Sequence, residues 1–273
     1  MTINCKGTLV DISSPKVMGV LNITPDSFFD GGRYKNDTQI LSQVEKMLTE
    51  GATFIDVGAY SSKPGAIHIS EDEELKRIVP VIDLLLKNFP EIILSIDTFR
   101  SKVAQETIHT GAAIINDISG GKMDNDMFAT VANLKVPYIL MHMQGTPQNM
   151  QQNPIYEDVT KEIIFFFAEQ IRKLQQLMVN DIIIDIGFGF GKTIDHNFEI
   201  LKNLELFKSL DAPILAGISR KSMLYKTLGI SAQEALNATT SANTIALLNG
   251  AHILRVHDVK EAMEAVKIVS QVL

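Results

Sequence analysis

Residues 17–26 read Val17-Met18-Gly19-Val20-Leu21-Asn22-Ile23-Thr24-Pro25-Asp26, an apolar strand-length run that closes on Asn-Ile-Thr-Pro-Asp. The first strand of a doubly wound dinucleotide-binding sheet would run instead into Gly-x-Gly-x-x-Gly, whose glycines let the backbone approach a pyrophosphate. That sheet is therefore the runner-up. Similar β-branched runs recur at 53–57, 92–96, 112–115, 136–141, 182–186, 213–218 and 251–256. They are apolar on nearly consecutive positions, as strands buried on both faces are. Helical patterns fill the gaps. In 71–88, Leu75, Ile78, Val79, Ile82, Leu85 and Leu86 share one face behind a Ser70/Glu73 capping box, with a kink expected at Pro80. Residues 159–178 repeat the pattern, and Asp258 with Glu261 reads as the cap of a last helix. Eight βα units with no linker between them predict an α/β fold, one closed (β/α)8 TIM barrel spanning residues 1–273 as a single domain, with residues 1–16 as a short N-terminal hairpin.

Composition agrees. The 273 residues exceed the roughly 150 of an average domain but suit one barrel of about 250. A chain 45% hydrophobic and 21% charged can bury a large core and is not disordered. A net charge of −7 argues against nucleic acid or anionic membrane as partners, since both reward clustered Lys and Arg. An anionic ligand would have to be met locally. The lone Cys5 excludes an internal disulfide and a thiolate zinc site, and the first 16 residues lack the apolar core of a signal peptide, which points to a cytoplasmic protein. Every apolar run falls short of the roughly 18 residues of a membrane helix.

A barrel carries its site at the C-terminal rim of its strands, and the side chains delivered there are polar. They are Asn22, Asp56, Asp97, Asn116, His142, Asp185, the group Ser219-Arg220-Lys221, and Arg255 with His257. A polar residue closing a βα turn is often only a helix cap, but eight together favour a ligand site. Gly187, Gly189 and Gly191 in DIGFGFGKT allow positive φ, and a flat heterocycle could stack on Phe190. Two phosphate-loop patterns fail there, one at Ile186 and one at Lys192. Arg255 and His257 flank Val256 and so point the same way from an extended strand end, where with the N-terminus of the last helix they suit a phosphate or pyrophosphate. The alternative is that Arg255 merely pairs with a neighbouring carboxylate. Scattered histidines leave metal chemistry weakly signalled, and a magnesium ion held partly by substrate phosphates stays open.

The blocks GVLNITPDSFFDGG (19–32), DVGAYSSKPGA (56–66), SIDTFRSKVA (95–104), IINDISGG (114–121), LMHMQGTP (140–147), DIGFGFGKT (185–193), GISRKSM (217–223) and RVHDV (255–259) together resemble the dihydropteroate synthase family along the whole chain. The resemblance implies a (β/α)8 barrel, usually dimeric, that joins p-aminobenzoate to 6-hydroxymethyl-dihydropterin pyrophosphate with Mg2+ assisting. It implies that Asp185 accepts from the amino-pyrimidinone edge, that Asn116 pairs with ring nitrogens, that Lys221 donates to the ring, and that Asp97 lies near it. Asp97, Asp185 and Lys221 are its catalytic candidates. Asn22, as metal ligand, falls with Arg255 and His257 on the family's pyrophosphate–Mg2+ site. Ser62, Lys63, Pro64, Phe190 and Ser219 fall on the p-aminobenzoate side, and Asp56, Met141 and Gly217 complete the substrate contacts. The second loop departs from the family's Gly-Gly-Glu-Ser-Thr-Arg-Pro-Gly, reading Gly58-Ala59-Tyr60-Ser61-Ser62-Lys63-Pro64-Gly65, and Ile186 replaces a usual proline. Lysine lacks arginine's planar fork, so carboxylate recognition there is expected to differ. The rival readings are a catalytically silent pterin-binding paralogue, a pterin-dependent methyltransferase domain, and a Schiff-base aldolase using Lys192 or Lys221.

Overall fold

The computed structural model describes residues 1–23, 33–60 and 68–272, with the backbone alone for 33–36. Strands β1 (Thr2–Cys5) and β2 (Thr8–Asp11) pair as an antiparallel hairpin. The barrel strands are β3 (Lys16–Asn22), β4 (Phe54–Gly58), β5 (Leu94–Asp97), β6 (Ile114–Asp117), β7 (Tyr138–Met141), β8 (Ile182–Asp185), β9 (Ile214–Ala216) and β10 (Ile253–Val256). All neighbours are parallel, and β10 closes the ring against β3. The (β/α)8 expectation is met, each strand beginning and ending within two residues of the run that announced it. The helices are α1 (Arg33–Thr49), α2 (Glu71–Asn88), α3 (Ser101–Thr110), α4 (Met127–Leu134), α5 (Val159–Gln176), α6 (Ile194–Lys202), α7 (Ser222–Leu228), α8 (Leu236–Leu248) and α9 (Val259–Val269). Among the described residues no helix is long and apolar enough to cross a membrane.

Side chains alternate across a strand, and here each face has its own partner. Outward residues such as Val17, Ile55, Ile96, Ile115, Leu140, Ile184 and Leu254 join the helices in one large core. Inward residues at the lower ends, Met18, Phe54, Ile114, Ile139, Ile183, Leu215 and Ile253, fill the barrel interior together with Ile3, Cys5 and Ile12 of the hairpin. The hairpin thus closes the N-terminal end of the barrel. Two residues further along each strand, the inward positions become Val20, Asp56, Ser95, Asn116, Met141, Asp185, Gly217 and Arg255. A filled apolar floor leaves room for function only at the opposite mouth.

Two caps differ from expectation. Ser70 Oγ accepts from Glu73 N at 3.2 Å, but the Glu73 carboxylate turns to Arg77 Nε at 2.8 Å, so half of the box forms. Asp258 does not cap α9 with its side chain, because Arg220 holds it through Nε and Nη2 at 2.8 and 2.9 Å. Helix α2 runs on through Pro80. Phe54→Ala, which opens a cavity in the fully buried floor, should destabilise the protein by about 3–5 kcal/mol in chemical denaturation. A loss under about 1 kcal/mol would show that the floor is not close-packed.

Candidate active site

Asp56 stands at the centre of the mouth, fully buried. Its Oδ1 accepts from Ser95 Oγ at 2.6 Å, and its Oδ2 accepts from Asn116 Nδ2 at 3.0 Å and from Arg255 Nε at 2.7 Å. Arg255 Nη2 goes on to Asp97 Oδ2 at 2.9 Å. A carboxylate needs donors, so Asp56 fixes the amide of Asn116 with its nitrogen inward. The Asn116 Oδ1 is then left buried with no partner. Such an acceptor is costly to bury alone and calls for a donor from a ligand.

Asp185 ends β8 in the same inward layer, 6% exposed, with Oδ1 accepting from Gly187 N at 2.8 Å. Burial raises its proton affinity above that of an ordinary carboxylate, while the Gly187 amide and Lys221 pull the other way. Burial also raises that of Asp97, opposed by Arg255. Lys221 is lowered to about 8 by burial, with Asp185 opposing. Its Nζ lies 4.1 Å from the centre of the half-buried Phe190 ring and donates to Phe188 O at 2.5 Å. Between them Gly217 keeps a space open, since a Cβ there would lie 3.9 Å from Asp185 Oδ2 and 4.0 Å from Arg255 Cβ. Met141 is buried beneath the mouth, in a cluster with Tyr60, Phe99, Ile118, Met143 and Met150 on which Phe190 packs.

At the rim, a Cβ on Gly58 would meet Asn22 Oδ1 and Asp97 Oδ2 each at 3.6 Å, so the two oxygens face one small space. His257 is exposed, and its backbone N donates to Ser219 Oγ at 3.3 Å. Arg220, at φ +54°, is in the left-handed region. Its amide donates to Thr239 Oγ1 at 3.0 Å and its fork grips Asp258, so the Ser219–Lys221 turn is tied to the start of α9. Of the Arg255–His257 pair expected to face an anion, Arg255 follows the alternative of carboxylate pairing. Arg255 is engaged by two carboxylates, whose charges outweigh burial and raise its already high proton affinity.

His142 does not reach the mouth. The strand alternation turns it outward, where it packs on Phe166 with ring centres 5.0 Å apart. Lys192, the aldolase candidate, is 3% exposed and ringed by carbonyls, out of reach of a carbonyl substrate. Lys221 remains open. Ser62, Lys63 and Pro64 lie outside the described residues. Tyr60, just before them, is buried, stacks edge-on against Phe99 with centres 5.1 Å apart, and has its hydroxyl 3.2 Å from His68 Nδ1. Arg100 lies over both rings, pairs with the buried Glu74, and donates to Ile69 O at 2.6 Å.

Ser95 and the Arg100–Glu74 pair beside Tyr60 escaped the sequence reading. Ser95 had a usable signal: it stands two residues before Asp97 in an otherwise apolar strand, so the two share the barrel face. Glu74 and Arg100 had none, because their pairing joins α2 to the residue before α3.

This constellation is that of a pterin binding enzyme, and the chain belongs to that family, whose model matches residues 18–257. The dihydropteroate synthase of Escherichia coli strain K12 is 42% identical over 275 residues, covering 100% of this chain and 97% of that protein. The Yersinia pestis dihydropteroate synthase solved with a sulfonamide drug complex has a TM-score of 0.93 at 42% identity, covering 100% of this chain and 99% of that one. The Xanthomonas albilineans dihydropteroate synthase in complex with 7,8-dihydropteroate has a TM-score of 0.89 at 32% identity, covering 100% and 98%. Within its family the chain stands with the dihydropteroate synthases.

Removing Arg255 would leave the Asp56 and Asp97 charges facing each other. Arg255→Met should therefore cost about 3–5 kcal/mol of stability at pH 7. The deficit should shrink at lower pH, because a carboxyl whose proton affinity is raised in the folded state favours folding when protonated. A pH-independent deficit in denaturation midpoints would show that the guanidinium acts by packing alone.

Proposed function

We propose that the chain condenses 6-hydroxymethyl-7,8-dihydropterin pyrophosphate with p-aminobenzoate to give 7,8-dihydropteroate and pyrophosphate, a transferase step of folate biosynthesis. The observation that carries this is the unpartnered Asn116 Oδ1, in the same inward layer at the barrel mouth as the Asp185 carboxylate. A pterin offers amino and ring N–H donors on one edge and a carbonyl next to them. Asp185 and Asn116 would accept from the donors, and Lys221 would leave Phe188 O for the carbonyl or a ring nitrogen. Asp97 would lie beside the ring. Asp56 takes part by fixing Asn116 and Arg255 rather than by meeting the ring, since its oxygens are already engaged.

In the reaction the arylamine nitrogen bonds to the exocyclic methylene carbon. The carbon–oxygen bond to pyrophosphate breaks with its electron pair, and the amine proton leaves to solvent. Positive charge spreading into the pterin as this bond loosens would be stabilised by Asp97 and Asp185. The amine is neutral at pH 7, so positioning supplies much of the rate. The leaving pyrophosphate would meet Arg255, His257 and the N-terminal amides of α9, which the Arg220–Asp258 pair leaves uncapped by a side chain.

The donor set near Asn22 fits Mg2+ only in company with the substrate. Asn22 Oδ1 and Asp97 Oδ2 face one space, while the described residues hold no group of three His, Cys, Asp or Glu able to bind a metal. Bound there with the pyrophosphate oxygens, Mg2+ would neutralise leaving-group charge. Ser219, Phe190 and, in the second loop, Ser62, Lys63 and Pro64 would receive p-aminobenzoate, with sulfonamides competing for the same place. The chain would act as one domain, in the cytoplasm, and as a homodimer, for which the exposed Leu228, Ile245 and Leu248 on α7 and α8 offer apolar surface.

The test is pyrophosphate release from the pterin substrate with Mg2+, with and without p-aminobenzoate. Acceleration by p-aminobenzoate with dihydropteroate formed is expected; tight pterin binding without release would identify a silent paralogue. Asp185→Ala should lower dihydropterin affinity at least about tenfold in calorimetry, the loss for a hydrogen bond to a charged group, with the fold kept. Unchanged affinity would sink the pterin assignment. Lys221 is lowered to about 8, so dihydropterin affinity should decline as pH rises through that value, and Lys221→Met should remove the decline. A decline that persists in the variant would place the titration elsewhere.

A further inference from the structure

The turn Gly187–Gly191 holds five successive carbonyls, and each accepts from a side chain. Lys192 Nζ takes Gly187 O at 2.9 Å and Phe190 O at 3.1 Å. Lys221 Nζ takes Phe188 O at 2.5 Å, Gln151 Nε2 takes Gly189 O at 2.6 Å, and the Tyr156 hydroxyl takes Gly191 O at 2.8 Å. Gly187 and Gly191 have positive φ, and a Cβ on either would run into the backbone oxygen of His142 or Gln144. The turn is therefore packed from below and tied from above.

Lys192 differs from the other donors in being sealed in. It is 3% exposed, and beyond the two turn carbonyls its Nζ meets His142 O at 3.2 Å and His142 Nδ1 at 3.0 Å. A lysine nitrogen is costly to bury, and burial here pulls its proton affinity well below that of an ordinary lysine, with the Asp185 charge opposing, so an apolar residue of the same length would suit the fold better. What the amine supplies is geometry. It grips the first and fourth carbonyls of the turn at once. Between these points the chain carries Phe188, whose carbonyl receives Lys221, and Gly189, where a Cβ would lie 3.0 Å from Lys221 Cδ. The first residue gripped donates its amide to Asp185, and the fourth carries the Phe190 ring under Lys221 Nζ.

We propose that Lys192 is a positioning residue for the reaction: by clamping Gly187 O and Phe190 O it keeps the Gly187 amide on Asp185 and the Phe190 ring under Lys221, and so aims Lys221 at the pterin. The proposal rests on the pterin reading of the site. Lys192 touches no substrate and acts through Phe190 and Lys221. Its removal should loosen pterin binding through the ring it holds, and not through a general loss of structure.

A double-mutant cycle tests this with 6-hydroxymethyl-7,8-dihydropterin as the calorimetric probe. Lys192→Met should lower affinity about tenfold while circular dichroism and the melting curve show a folded protein at the assay temperature. In a Phe190→Leu background the further loss on Lys192→Met should shrink below about threefold, since both changes disable one platform. Equal losses in both backgrounds, or no loss in either, would overturn the proposal. Should Lys192→Met fail to fold, Lys192→Gln, which keeps two N–H donors, carries the same cycle with the same two outcomes. A wild-type protein that binds no dihydropterin would overturn the pterin reading itself, whereas wild-type binding with an additive cycle would overturn this inference alone.

Discussion

Arg255 lies between Asp56 and Asp97 in the mouth of the barrel, and the site depends on this arrangement. A buried charged cluster of this kind adds little to stability in net terms, because desolvation consumes much of the Coulombic gain. Its effect is positional. Asp56, satisfied by Ser95, Asn116 and Arg255 together, leaves each of those groups one orientation. The unpartnered oxygen of Asn116 is a direct consequence, and so is the direction in which the rest of the guanidinium faces the rim.

The barrel makes this affordable by separating tasks along each strand. Phe54 and Asp56, Ile114 and Asn116, Ile183 and Asp185, Ile253 and Arg255 are pairs two residues apart on the same inward face. The lower member packs the floor and the upper one serves the site. Outward residues between them bind the helices. The strands are held from outside and below, so a buried polar layer can persist at the top without a large local contribution of its own.

Most of the architecture was legible from the chain because long apolar runs with regular spacing leave few alternatives. The strand-end residues Asp97, Asn116, Asp185 and Arg255 were legible for a related reason: a polar side chain on the inward face at the upper end of a barrel strand looks into the mouth. His142 was misplaced because a single-residue shift in where the strand ends reverses the face of its side chain. Asp258 was read as a cap because nothing local announces that Arg220, 38 positions earlier, would claim its carboxylate. Lys192 shows the opposite limit. It was legible as a lysine in a glycine turn, but its burial under that turn depends on how residues 142–156 cross over it.

The most direct test is a crystal structure of the protein with bound 6-hydroxymethyl-7,8-dihydropterin. Asn116 Oδ1 and an Asp185 oxygen should each accept from the pterin within the roughly 3.2 Å of an N–H···O bond, with Arg255 still on Asp56 and Asp97. A pterin bound elsewhere, or one that gains its contacts only by pulling Asn116 or Arg255 away from Asp56, would contradict the claim that this buried network builds the site.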